Sequence, residues 1–416
     1  DNAPWVDRKK VKSAQLPAAI ASEVARLVTL EMKSEITGGS SATYLNDQYQ
    51  KKVLTSIRRY VEYGCAKGGL ILKPYVTKTG LAIQYVQADC FFPLAFDDSG
   101  QIQQCVFTEQ FRKGQKIYTR LEVHTLQGEQ IRITNRAFVA TNDYSLGSVI
   151  SINSVDRWSE LMPEAVVEGS DRLLFGYFKV PLAYADDTGS PLGVSVYSRA
   201  VDDIKEADYQ WTRILWEFEG SELAIDGDVS LFKRKENGEF DLPKGKERLF
   251  RMMDFDDDKE QYKVFAPPIR DESLINGFNA ILRRVEFNSG LAYGTLSDLN
   301  TVDKTAEEIK TSKQRSYSTV SDIQKALQKA LEQLIYAMDV IAQLSNLNGG
   351  KKYEVSFDWD DSIVIDKEQE LQSMQQDATA GLIRKEIYIA AKYGVSEEEA
   401  LKMMPVQDDR FNIQEE

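Results

Sequence analysis

Residues 305–350 read TAEEIKTSKQRSYSTVSDIQKALQKALEQLIYAMDVIAQLSNLNGG. Apolar side chains recur at Ile309, Val320, Ile323, Leu327, Leu331, Leu334, Met338 and Ile341, the spacing of one face of an α-helix. No glycine or proline interrupts the run before Gly349-Gly350. Thr305-Ala-Glu-Glu308 has the form of a capping box, in which the threonine hydroxyl and the glutamate carboxylate satisfy amides left open at a helix start. About 40 residues at about 1.5 Å each make a helix of about 60 Å. That is longer than a compact domain needs.

Upstream, a loop containing Gly290 and Tyr293 separates this helix from a shorter one, about Asp271 to Ser289, with Leu274, Phe278, Ile281, Leu282 and Val285 on one face. A matching helix is expected from about Ser198 to Glu219, closed by Gly220. Its stripe is Ile204, Trp211, Leu215 and Phe218, and Tyr209, Arg213 and Trp216 lie on another side. A helix apolar on two sides is buried on two sides, either deep within one chain or between subunits. Between the two helices, residues 223–268 read as a small β-rich insertion, with strand-like runs Val229 to Lys233 and Tyr262 to Phe265. It carries a basic group, Lys233, Arg234, Lys235, Lys244, Lys246, Arg248 and Arg251, and the acidic run Asp254-Phe-Asp-Asp-Asp258.

The first third reads as helices leading into antiparallel strands. Pro17 can open a helix through Ile20, Val24, Leu27, Val28 and Ile36 that ends at Gly38-Gly39, and a second is expected from about Asn46 to Tyr63. Strand signals follow at Leu70 to Tyr75, Leu81 to Val86, Gln104 to Phe111, Lys116 to Thr125 and Gln130 to Thr134, joined by glycine turns as in a meander. Leu146 to Gly193 looks irregular. After the long helix come one strand, Tyr353 to Trp359, and three short helices, the last opened by the capping box Ser396-Glu-Glu-Glu399. The fold class is α+β.

Composition narrows the function. The 416 residues carry 65 Asp and Glu against 51 Lys and Arg, a net charge of −14. That balance disfavours a protein that grips nucleic acid through its phosphates. No apolar stretch is long enough to span a membrane, and DNAPWVDRKKVKSAQ at the start has no apolar core of a secretory signal. Cys65, Cys90 and Cys105 lack paired spacing, so reduced thiols are expected. His124 is the only histidine, which leaves no partner for a two-histidine metal site and points to a surface or packing role. Asp254, Asp256 and Asp258 alternate as in a calcium loop, but Lys259 replaces its glycine and Phe265 its closing glutamate. The cluster Asp358 to Asp361 could hold magnesium or simply end a strand. There is no phosphate-binding P-loop and no nucleophile elbow. No cofactor and no metal site is expected.

The order of elements resembles the portal proteins of tailed bacteriophages, the family found in long-tailed phages of Gram-positive bacteria. The likeness rests on Asp171-Arg-Leu-Leu-Phe-Gly-Tyr-Phe-Lys-Val-Pro181, Ser190-Pro-Leu-Gly-Val-Ser-Val-Tyr197, Leu215-Trp-Glu-Phe-Glu219, Gly245-Lys-Glu-Arg-Leu-Phe250, Gly290-Leu-Ala-Tyr293 and Lys304-Thr-Ala-Glu-Glu308. It implies a wing (1–197 and 305–362), two stem helices (198–220 and 270–289), a clip (221–269), a tunnel loop (290–304) and a crown (363–416). The long helix would lie in the wing.

The resemblance also implies a homo-oligomeric ring of about twelve subunits. Double-stranded DNA would pass through it without sequence readout, and terminase large subunit, head–tail adaptor, major capsid protein and scaffolding protein would be its partners. About twelve copies at −14 carry about −168, which lets DNA slide rather than stick. On this reading Ser297, Asn300, Thr301, Asp303 and Lys304 face the channel. The basic group from Lys233 to Arg251 docks motor and adaptor, and Tyr209, Trp211, Trp216 and Phe278 pack between subunits. The alternatives are a carboxylate-dependent α/β enzyme and a phage scaffold protein without a channel.

Overall fold

The computed structural model describes residues 3–7, 9–30, 32–78, 80–184, 187, 189–229, 232, 249–253, 262–298, 306–350, 352–359 and 367–404, without the side chains of 306–310, 312 and 367–370. The helices are α1 (Leu16–Thr29), α2 (Ser40–Lys52), α3 (Ile57–Lys67), α4 (Val201–Gly220), α5 (Asp271–Asn288), α6 (Ala306–Leu344), α7 (Lys367–Thr379), α8 (Lys385–Tyr393) and α9 (Glu397–Met403). The early strands are β1 (Met32–Gly38), β2 (Gly69–Thr77), β3 (Gly80–Gln87), β4 (Phe91–Phe96), β5 (Ile102–Lys113), β6 (Lys116–Gln127) and β7 (Gln130–Ala140). The later ones are β8 (Ser148–Ile150), β9 (Glu164–Glu168), β10 (Gly176–Lys179), β11 (Ala224–Asp228), β12 (Phe250–Met253), β13 (Tyr262–Phe265) and β14 (Tyr353–Trp359). None of the described helices is long and apolar enough to cross a membrane.

Two compact units result, residues 1–30 with 34–357, and 31–33 with 358–416. In the first, β4 to β8 form an antiparallel meander in chain order, with β9 also on β7, and a smaller sheet has the order β10-β2-β3. Two-residue turns join β5 to β6 and β6 to β7, with Gly114 and Gly128 in the left-handed region at φ 64° and 63°. A shared core of Ile71, Phe91, Phe107, Ile131, Phe175, Ala337 and Val340 joins the two sheets to α6. The predicted stripe of α6 is buried from Val320 through Met338. In the second unit the Ser396–Glu399 capping box forms as expected, with both reciprocal bonds made at the start of α9.

Three expectations need correction. Ile36 does not extend the first helix but lies in β1, where Ser34 and Ile36 are buried and their neighbours exposed. That period of two suits a strand, and β14 pairs with it. The expected second helix is broken into α2 and α3 at Val53, which is fully buried with φ at −109°, well off the ideal helical value, and is followed by a single 3-10 turn at Leu54–Ser56. The turn lets Tyr49 before it and Ile57 after it both reach the core. The strand-like run Val229 to Lys233 falls largely outside the described residues, and the described strands of the insertion are β11, at Ala224 to Asp228, with β12 and β13 paired to it. The stretch called irregular holds β8, β9 and β10, too short to show an alternating pattern.

A charged cluster is enclosed among the sheets. Lys73 of β2 donates to both oxygens of Glu122 of β6 at 2.8 and 2.9 Å, with its ammonium 4.5 Å from the Phe107 ring centre. Arg120 approaches the same carboxylate at 3.0 Å, and His124 Nε2 lies 2.7 Å from it. Burial pushes the Glu122 carboxyl up, but the His124 hydrogen bond and the Lys73 and Arg120 charges outweigh it and hold it well below the usual carboxylate range. Burial depresses the His124 pKa, so the ring stays neutral and donates its Nε2 proton, leaving Nδ1 buried without a partner among the described residues. The lone histidine is thus a packing residue, edge-on to Phe107 at 5.1 Å.

Both shifts act in one direction. The unfolded chain protonates His124 near 6.5 and Glu122 near 4.5, and the folded chain takes up those protons only at lower pH. Stability conferred by these groups is therefore complete above pH 6.5 and lost as pH falls. Urea unfolding should show a falling midpoint from pH 7 to 5, and His124→Gln, which keeps a donor to Glu122 but cannot titrate, should flatten that slope. An unchanged slope in the variant would assign the acid sensitivity elsewhere.

Candidate functional site

The most distinctive construction is the pair α4 and α5, two helices that pack along each other with the small insertion at one end and the loop before α6 at the other. Buried on α4 are Ile204, Ala207, Asp208, Ile214 and Glu217. This differs from the stripe the sequence suggested, because Leu215 and Phe218 are exposed. Trp211 packs on Phe278 of α5 with ring centres 5.8 Å apart. Trp211, Tyr209 and Phe278 are all partly covered within one chain, whereas Trp216 is 66% exposed. Ile275 and Phe287 of α5 are exposed as well.

Polar groups staple the hairpin at both ends. Glu217 accepts from the backbone and guanidinium of Arg270, the residue before α5, at 3.3, 3.1 and 2.7 Å. That side-chain bond to Arg270 holds the Glu217 carboxyl below its ordinary range. At the opposite end Asp203 accepts from Arg284 at 2.9 Å and Asn288 at 2.7 Å. Asp208 fixes the N-terminal segment by accepting from Trp5 Nε1 and the Ala14 amide at 2.8 and 2.7 Å. α4 holds six carboxylates against two cations, with Asp202 and Glu206 among its exposed residues.

At the insertion end β11 lies between β12, parallel, and β13, antiparallel. Arg251 is no free docking cation: it binds Asp226 across the sheet at 2.6 and 3.1 Å and lies 4.3 Å from the Phe265 ring centre. Exposed here are Leu223, Met252, Met253, Tyr262, Val264 and Ile269. The other six basic candidates, Lys233, Arg234, Lys235, Lys244, Lys246 and Arg248, lie outside the described residues.

The loop end is built on one buried acid. Glu286 of α5 is fully buried, and its Oε1 accepts from the amides of Gly294, Leu296 and Ser297 at 3.1, 2.6 and 2.8 Å. Its Oε2 takes the Ser297 hydroxyl at 2.9 Å, and Asn279 Oδ1 takes the Asp298 amide at 3.2 Å. Gly290 and Gly294 sit at φ 70° and 87°, and a Cβ on Gly290 would come within 2.6 Å of Thr319 Oγ1 on α6. Arg315 of α6 lies over Phe287 and Tyr293 at 4.6 and 5.1 Å and donates to Leu291 O. Ser297 is therefore an internal anchor rather than a water-facing residue. Asn300, Thr301, Asp303 and Lys304, with the start of the Thr305 capping box, lie outside the described residues. Sequence reading missed Glu286, although a carboxylate beside Leu282 and Val285 on the buried face of α5 is a legible signal.

Among the described residues no group of three or more His, Cys, Asp or Glu side chains is placed to hold a metal. The family model described as phage portal protein, SPP1 Gp6-like, matches residues 19–410. A search of curated proteins gives no match. Two solved structures resemble the chain at 10% identity, each covering 91% of it and 90% of their own chain. One is the virion of a native gene transfer agent particle, TM-score 0.45, and the other the neck of that kind of particle computed with C12 symmetry, TM-score 0.46.

Replacing Glu286 by Leu takes the acceptor from three amides, the buried one of Ser297 and the part-buried ones of Gly294 and Leu296, at about 1–3 kcal/mol for the buried one. Hydrogen exchange at Gly294, Leu296 and Ser297 should then accelerate by about a hundredfold or more, with Glu286→Gln between the two. Unchanged protection in the Leu variant would mean that the carboxylate does not hold the loop.

Proposed function

We infer the function from the premise that the chain belongs to the SPP1 Gp6-like family of phage portal proteins: copies of it close into a ring, with about twelve as the expected number, at one vertex of a capsid, and double-stranded DNA enters and leaves through the central channel. The observation that carries this is the family match over residues 19–410. Portal proteins are structural components of the virion, and no reaction is assigned to the chain.

The architecture supports a division of labour. Residues 1–197 and 305–362 form the wing, 198–220 and 270–289 the stem, 221–269 the clip, 290–304 the tunnel loop and 363–416 the crown. A ring of identical subunits repeats one heterologous contact, so each copy presents two different surfaces to its neighbours. The exposed residues Leu215, Trp216, Phe218, Ile275 and Phe287 of the hairpin supply apolar area for that contact. The carboxylate excess of α4 suits a channel wall that repels phosphates. Glu286 fixes the first part of the tunnel loop, which leaves Asn300, Thr301, Asp303 and Lys304 as its DNA-facing part.

The exposed apolar residues of the clip sheet, with Lys233, Arg234, Lys235, Lys244, Lys246 and Arg248, form the docking surface for terminase large subunit during packaging and for the head–tail adaptor afterwards. The wing meets the major capsid and scaffolding proteins.

Trp216 offers a direct test, because it contributes little to the fold of one chain. Trp216→Ala should weaken ring assembly by about 2 kcal/mol or more per interface, read as a shift toward monomer in sedimentation velocity. Its melting temperature as a monomer should be unchanged. Wild-type assembly by the variant would remove the stem from the subunit interface.

A further inference from the structure

A cleft of about 630 Å³ opens in the larger unit, and three elements wall it. Tyr177, Lys179 and Pro181 occupy alternate positions of β10 and its continuation, so their side chains point the same way. Ala326, Lys329 and Gln333 lie three and four residues apart on α6, one stripe of that helix. The turn from Phe96 to Ile102 closes the third side, and Leu173 and Phe175 complete an apolar floor.

The charge of the lining is the reverse of the chain's. Arg172, Lys179 and Lys329 line the cleft and, among the described residues, no carboxylate does, in a protein with 65 acidic residues to 51 basic. Of the acids in that turn and beside Arg172, Asp97 and Asp171 are occupied, and Asp98 lies in the same turn on its exposed side. Asp97 accepts from Ser99, Gln101 and Gln103 within its own turn. Asp171 binds Arg172 at 2.8 and 3.1 Å, and the guanidinium also lies 4.7 Å from the Tyr336 ring centre. Lys179 and Lys329 make no ion pair among the described residues.

We propose that this cleft docks an acidic peptide segment with interspersed apolar side chains, supplied by a partner protein. The cations are spread rather than convergent: β10 lies between Arg172 and Lys179, and three steps along it already cover about 10 Å. Carboxylates spaced along an extended peptide match that spacing, whereas a single phosphate meets one cation at a time. The recessed floor of Leu173, Phe175 and Ile102 takes apolar side chains and offers nothing to a phosphate backbone. The Tyr177 amide is already bonded to Gln333 Oε1 at 3.4 Å. Recognition therefore runs through side chains rather than through a strand added to the edge of β10.

The test uses the full chain and a short fluorescein-labelled peptide of alternating Glu and Leu, followed by anisotropy at low and high salt. The peptide is expected to bind, to weaken as salt rises, and to bind roughly tenfold or more weakly to Lys179→Glu/Lys329→Glu. A peptide with Gln in place of Glu should show a similar loss. Unchanged melting of the double variant reports an intact fold, and Lys179→Gln and Lys329→Gln singly repeat the test should it melt early. Three results would overturn the proposal: no binding of the acidic peptide, equal binding to the charge-reversed chain, or displacement of the peptide by equimolar duplex DNA.

Discussion

The seam between α6 and β10 sets the position of nearly everything else in the larger unit. Position 176 must be glycine, because a Cβ there would lie 2.2 Å from the Ala330 carbonyl oxygen and 3.1 Å from Leu334 Cβ. The helix backbone therefore rests directly on the strand, and Leu327, Leu331, Leu334 and Met338 are fully enclosed around that contact. From this fixed line the N-terminal half of α6 brings Thr319 and Arg315 to the loop after α5. Its C-terminal half brings Asp339 to the Gly350 amide at 2.7 Å, which turns the chain toward β14. One wall of the cationic cleft is a stripe of the same helix.

Buried carboxylates do the joining that apolar packing does not specify. Glu122 ties β2 to β6, Asp208 holds the N-terminal segment on α4, Glu217 closes the insertion end of the hairpin, and Glu286 gathers the loop amides. Each is surrounded by donors whose direction fixes it in one arrangement. On the proposed function a subunit must keep its shape while DNA moves past it, and hydrogen bonds to buried acids resist sliding better than apolar contacts, which have no preferred direction. The acidic composition is thus divided between internal anchors and an exposed excess.

Much of this is written in the sequence, and the exceptions have identifiable causes. The periodicity of α6, the three strands of the central meander and the two hairpin helices are plain because each runs long enough to show its period. β10 is hidden because it has four residues and its key position is a glycine. β1 is hidden because Ile36 falls at helical spacing from Val28, and only burial of alternate residues reveals a strand. The residues predicted to pair between subunits divide by burial: Trp211 and Phe278 pack on each other within one chain, and Trp216 is left exposed. Ser297 looks like a solvent residue from its type alone, since nothing nearby in sequence shows that Glu286 lies across from it.

Electron cryo-microscopy of the purified full-length chain tests the central claim most directly. The account predicts a closed ring with an open axial channel, in which α4 and α5 of every copy run beside that channel and Trp216 is covered by an adjacent copy. A compact oligomer without an axial opening, or a ring whose α4–α5 hairpins point outward into solvent, would contradict it.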